Sequence, residues 1–139
     1  MMVSKGGAAP VKSEAKLTSI ANGIVASLRG RLSLEQIHGW IDKVSATGHC
    51  NWAIIDMREM RASEGGVWST LEMGFKKIAK KGARRIVFVV GGQDQIGMIQ
   101  SATKRAGISA FAEYFDASTR AFDQTKIINY LREHSNDKK

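Results

Sequence analysis

The chain has 139 residues, 43% of them hydrophobic, which suits one domain with a core of its own. Its net charge of +8 favours anionic partners without choosing among nucleic acid, acidic protein and anionic lipid. The lone Cys50 excludes an internal disulfide framework, and no stretch is apolar for long enough to span a bilayer, so cytoplasmic residence is the expectation. Residues 1–15 carry the only proline and many small residues, without the apolar run of a signal peptide, and read as a flexible tail. A folded domain is expected over 16–134, with 135–139 a frayed end.

From Leu17 the chain alternates strand and helix signals. The runs LTSI and IVASL flank Ala21-Asn22-Gly23, where Asn-Gly suits the turn of an antiparallel hairpin. Ser33 with Gln36 three residues on is a capping box, followed by Leu34, Ile37, Ile41 and Val44 at helical spacing up to Gly48. WAIIDM (52–57) is a short continuous apolar run, as in a strand covered on both faces. A polar loop leads to a second helix with Val67, Trp68, Leu71, Phe75 and Ile78 on one face, ending at Gly82. RRIVFVV (84–90) is the clearest strand. A third helix is predicted from Asp94 to Arg105, a last strand over FAEYF (111–115), and a final helix from Ser118 to about Glu133.

The order is β-β-α-β-α-β-α-β-α: an α/β fold with a mixed sheet, its first strand antiparallel at an edge and helices flanking it. Strands joined through helices lie parallel. The loops at 58–66 and 91–95 then fall at the same end of the sheet, where open α/β sheets bind ligands.

This order resembles that of the STAS (anti-sigma-factor-antagonist-like) domain over residues 17–133. WAIIDM resembles the family's third strand ending in an aspartate, here Asp56. Ser63-Glu64-Gly65-Gly66-Val67 resembles the opening of the following helix, RRIVFVVGG the fourth strand, and EYFDASTRAF the closing strand and helix. The resemblance implies a regulatory module that binds a protein partner such as a kinase or an anti-sigma-like regulator. In the family's regulatory members the second serine of Asp-Ser-Ser-Gly at this helix start is phosphorylated. Here the slot holds Glu64 if Gly65 is the matching glycine, or Gly65 if Gly66 is, so the usual phosphoserine switch is missing. Glu64 could imitate a phosphorylated state, or simply favour the helix start with Ser63 as N-cap.

The implied partner surface comprises Arg58, Met60, Arg61, Ser63, Glu64, Gly65, Gly66 and Trp68, with 91–95 beside it. Six of the ten residues in 76–85 are basic: Lys76, Lys77, Lys80, Lys81, Arg84 and Arg85. They form either an anion patch or a solvated helix end whose cations suit the dipole's negative terminus. No aromatic residues interleave with them, which argues against stacking on single-stranded nucleic acid. Gly91-Gly92 and Gly97 lack the Lys-Ser/Thr of a phosphate loop. No catalytic set, metal-ligand spacing or cofactor motif is visible: His38, His49 and His134 are scattered, and neighbours such as His49-Cys50 rarely have dyad geometry. An alternative follows from the bacterial branch that resembles the CRAL-TRIO fold, namely a lipid or other small ligand held between helices and sheet. An exposed hairpin edge also leaves a homodimer open.

Overall fold

The computed structural model describes residues 12–61 and 66–134. Nine principal elements follow in order: β1 (Glu14–Ile20), β2 (Gly23–Arg29), α1 (Leu34–Ala46), β3 (Trp52–Asp56), α2 (Val67–Lys80), β4 (Arg85–Val90), α3 (Gln93–Ala106), β5 (Ala112–Asp116) and α4 (Gln124–His134). A short 3-10 turn at Ser109–Phe111 precedes β5. The five strands form one sheet in the order β1-β2-β3-β4-β5. β1 runs antiparallel to β2, and every later pair is parallel. This is the mixed α/β sheet that the sequence predicts.

A strictly sequential order has a geometric consequence. Right-handed crossovers that all step in one direction place their helices on one face. The side chains agree: Ile24, Ala26, Ala53, Ile55, Ile86, Phe88 and Val90 share a buried cluster with α1, α2 and α3. The alternate residues Trp52, Ile54, Val87 and Val89 face Leu131, Ile127 and Ile128 of α4. The near-continuous apolar runs of β3 and β4 thus reflect burial on both sides. An aromatic column ties the larger core together, from Trp40 to Phe75 (6.4 Å), Phe88 (5.2 Å) and Tyr114 (5.8 Å).

The capping box forms as expected: the Gln36 amide donates to Ser33 Oγ (3.1 Å) and the Ser33 amide to Gln36 Oε1 (2.9 Å). Four details differ from the sequence reading. The hairpin turn is Ala21-Asn22, with the positive φ on Ala21, and Gly23 is already paired with Ile20 in the ladder. α1 stops at Ala46, before Gly48, with Thr47 as cap. β1 starts at Glu14, so residues 14 and 15 belong to the sheet and not to a tail. α4 begins at Gln124 and not near Ser118, because the Ser118 amide and hydroxyl both donate to Asp116 Oδ1 (2.9 and 2.6 Å), closing a turn. Residues 1–11 and 135–139, assigned to a tail and a frayed end, lie outside the described residues. Among the described residues no helix is long and apolar enough to cross a membrane.

Candidate functional site

The loops leaving β3 and β4 meet at one corner, at the carboxyl end of the parallel strands. Gln95 joins them: its Nε2 donates to the Met57 carbonyl (2.9 Å), and its Oε1 accepts from the Gly91 amide (2.7 Å). The loop after β3 is anchored on its other side as well. The Gly30 amide donates to the Glu59 carbonyl (2.9 Å), and the Arg61 amide to the Gly30 carbonyl (3.0 Å). The Met57 amide also donates to the Val89 carbonyl (2.9 Å), so backbone bonds hold residues 57–61 at both flanks and the Gln95 side chain adds to them.

Asp56 closes the strand end. It accepts from the Arg58 amide (3.1 Å) and takes the Arg58 guanidinium bidentately, Nε at 3.0 Å and Nη2 at 2.7 Å. The Arg58 guanidinium lies 4.8 Å from the Phe122 ring centroid, and the Asp56 carboxylate raises its pKa. Glu59 turns instead to Arg29 (2.7 Å). The two carboxylates thus serve separate arginines and form no acid–base pair.

Between the starts of α2 and α3 lies an apolar cavity of about 80 Å³. Met57, Met60 and Arg61 line it from the loop, Trp68 from α2, and Gln95, Met98 and Ile99 from α3. Met60 is buried, Trp68 is half-buried against the core, and Met98 is 47% exposed at the mouth. The cavity unites Met60, Arg61 and Trp68 from the predicted partner surface, with Arg58 beside it in a shallower cleft along Gly91–Gln95. Gln95, Met98 and Ile99 were not on that predicted surface, although 91–95 was expected next to it. An exposed apolar residue at an otherwise polar helix position, Met98, is the one sequence signal that could have marked them.

α2 opens at Gly66, whose φ of 90° only glycine adopts readily. Its carbonyl accepts from the Thr70 amide (3.0 Å), Thr70 Oγ1 (2.7 Å) and Ser69 Oγ (3.2 Å). The N-cap of α2 is Gly66. Ser63, Glu64 and Gly65 lie outside the described residues.

The basic run divides. Lys76 and Lys80 are exposed and Lys77 half-buried on α2. Lys81 Nζ donates to the Ser45 carbonyl (2.8 Å), tying α1 to α2. Arg84 lies 5.1 Å from the Phe111 ring centroid. Arg85 does not belong to this surface: it is buried on the opposite face of the sheet, bound bidentately to Glu113 (2.6 and 2.7 Å) and stacked on Tyr130 of α4 (5.0 Å). The strand's two-residue period sends Arg85 with Val87 and Val89 toward α4.

His49 faces Asn51 (2.7 Å), and Cys50 is buried, its thiol pKa raised by that burial. Among the described residues no group of three or more His, Cys, Asp or Glu is placed to hold a metal ion.

No protein-family model matches the sequence, and no curated protein matches it. Solved structures do. The unphosphorylated anti-sigma factor antagonist SpoIIAA superposes with a TM-score of 0.57 at 10% identity, over 86% of this chain and 96% of that one. The phosphorylated form of the Bacillus protein gives 0.57 at 12%, over 85% and 99%. A DUF3478 protein with a SpoIIAA-like fold from Shewanella loihica gives 0.57 at 15%, over 88% and 94%. At these identities the likeness establishes the fold: this chain has the STAS architecture of the SpoIIAA-like anti-sigma factor antagonists.

Proposed function

We propose that the chain is a STAS-type regulatory module that docks a protein partner at the corner formed by residues 57–61, the start of α2 and the start of α3, without catalysing a reaction. The observation that carries this reading is the Met- and Trp-lined cavity at the carboxyl end of the sheet. At about 80 Å³ it accommodates one apolar side chain, and the cleft of about 360 Å³ beside it along Arg58 and Gly91–Gln95 is open and polar, unlike the apolar enclosure a lipid needs. Methionine walls adapt to the shape of an incoming group, and a half-buried Trp is the residue type in which interface energy concentrates. The regulatory class rests on the fold shared with anti-sigma factor antagonists. The non-catalytic reading is supported by the partners these groups take: His49 pairs with Asn51, Cys50 is buried, and Asp56 and Glu59 bind separate arginines. With Glu64 or Gly65 in the phosphoacceptor slot, the module works without a phosphoserine switch.

The test is a competition. A protein captured by the native chain is identified, and its affinity is measured for Trp68→Ala, Met60→Ala and, as a control, Lys43→Ala on the exposed face of α1. Loss with the first two and retention with the third is expected. Equal affinity for all three chains refutes the corner. Native mass spectrometry of the purified chain tests the alternative: a co-purified acyl ligand would replace protein docking with lipid binding.

A further inference from the structure

Two features meet at the corner: a cavity for one apolar side chain, and the point where the described chain begins. β1 runs antiparallel to β2, so its first residue lies at the same end of the sheet as the loops after β3 and β4. Glu14 pairs with Arg29, and the next residue, Gly30, bridges to Met60 of the cavity wall. Two strand spacings of about 4.8 Å therefore set the start of β1 about 10 Å from Met60. The chain also leaves on the cavity's side of the sheet. Gln36 Nε2 of α1 donates to the Ser13 carbonyl and to Ser13 Oγ (both 3.3 Å), drawing the chain to the face that carries α1, α2 and α3. Met57, Met60 and Ile99 of the cavity belong to the core on that face. Gly66, two residues before Trp68, lies against the start of α1: a Cβ there would stand 3.7 Å from Leu34 Cδ2.

The eleven residues ahead of the described chain, MMVSKGGAAPV, open with three consecutive apolar residues. Ser4-Lys5-Gly6-Gly7-Ala8-Ala9-Pro10 follows, with only one long side chain in it. We infer that the cavity is filled by this leading segment of the chain itself. One side chain of Met1-Met2-Val3 seats between Met60, Trp68 and Met98, and a docking partner must displace it. The displacement rests on the docking role proposed above; the seating does not.

Reach and concentration select this occupant. Val3 and Ser13 are ten residues apart, which span at most about 35 Å when extended and about 17 Å on average for a Gly-rich chain. That mean is of the order of the distance from Ser13 past Met60 into the cavity. A tether works best when its mean length matches the span, and its effective concentration is then millimolar. A second copy at ordinary concentration cannot match that, and it presents no equivalent group. Among the described residues the exposed large hydrophobic side chains are Met73, Met98 and Tyr130, all on helices, and Met98 is the mouth of the cavity. One side chain in about 80 Å³ is a small contact, sustained by its tether, so a partner with several contacts displaces it.

The experiment attaches a nitroxide to Ser4→Cys in the full chain, where the buried Cys50 stays unlabelled, and reads the methionine methyl signals by NMR. Signals of Met60 and Met98 should broaden strongly, and Met2→Asp/Val3→Asp should relieve them. Met73, exposed on α2, should not respond to that double substitution. Equal broadening with and without Met2→Asp/Val3→Asp overturns the seating. So does broadening that persists when the nitroxide is on one chain and the isotope on another, since a second copy then supplies the segment. The partner captured in the competition above should bind Met2→Asp/Val3→Asp about tenfold more tightly, because a corner occupied about nine parts in ten by its own chain is masked tenfold. Unchanged partner affinity overturns the displacement. Partner affinity indifferent to Trp68→Ala, with the broadening as expected, refutes the docking role and leaves the seating in place.

Discussion

Replacing Gly74 with alanine sets two effects of opposite sign against each other. Gly74 lies mid-way along α2, and in a helix interior Gly→Ala gains about 1 kcal/mol from backbone entropy alone. The structure opposes that gain. A Cβ at this position would stand 2.4 Å from Trp40 Cζ3, 3.2 Å from Cε3 and 3.3 Å from Ile41 Cγ1. The indole is rigid, 1% exposed and packed edge-on against Phe75, so it cannot swing aside as a flexible side-chain tip would. Overpacking of a closed core costs about 1–3 kcal/mol, and contact this short belongs in the upper half of that range. The net expectation is a loss of about 1–2 kcal/mol, read as a lower urea midpoint with an unchanged slope by circular dichroism. The reasoning also predicts rescue. Trp40→Phe removes the clashing ring and also Trp40 Nε1, a buried donor without a partner. Gly74→Ala/Trp40→Phe should therefore exceed the sum of the single effects by about 1 kcal/mol. A Gly74→Ala chain as stable as the native one, or a strictly additive double variant, refutes the α1–α2 contact as described.

Further outcomes follow from other contacts. Glu113→Ala leaves the buried Arg85 guanidinium without its bidentate carboxylate, with Tyr130 and the His134 carbonyl (3.4 Å) still against it among the described residues, and should cost about 3 kcal/mol in urea unfolding. An equal midpoint would show that the pair is solvated. Cys50 should resist alkylation in the folded chain and react only on unfolding, since burial raises its thiol pKa. The sign for stability follows: with the folded pKa raised, the contribution is intact below the ordinary thiol value and falls as pH rises past it. Cys50→Ala should therefore flatten that alkaline decline, and unchanged curvature would speak against the burial.

Element order, parallelism and the edge hairpin were legible because periodicity reports burial directly. β4 reads as apolar throughout because both of its faces are covered, and the capping box of α1 is local chemistry that needs no tertiary partner. What escaped was decided by competition at short range. Ser118 looked like a helix start, but the Asp116 carboxylate two residues back took its amide and hydroxyl. Arg85 looked like one more cation in a basic run, yet the strand's alternation turned it through the sheet to Glu113. At the corner, Met60 and Trp68 could be proposed from one loop and one helix start. The third wall, from Gln95 to Ile99, arises only when α3 packs beside α2, and no local pattern encodes that pairing.

The arrangement of strands in the same sequence as the chain bears on how the molecule is made. Each strand finds its neighbour among residues synthesised just before it, so the sheet can grow in step with translation and needs no segment held in waiting. The exception is the described segment after β5, Phe122 and α4, which packs over Trp52, Ile54, Val87 and Val89. Until that segment emerges from the ribosome the greasy flank stays open, and a chain cut short ahead of Ala117 would carry it permanently, as a surface prone to clumping.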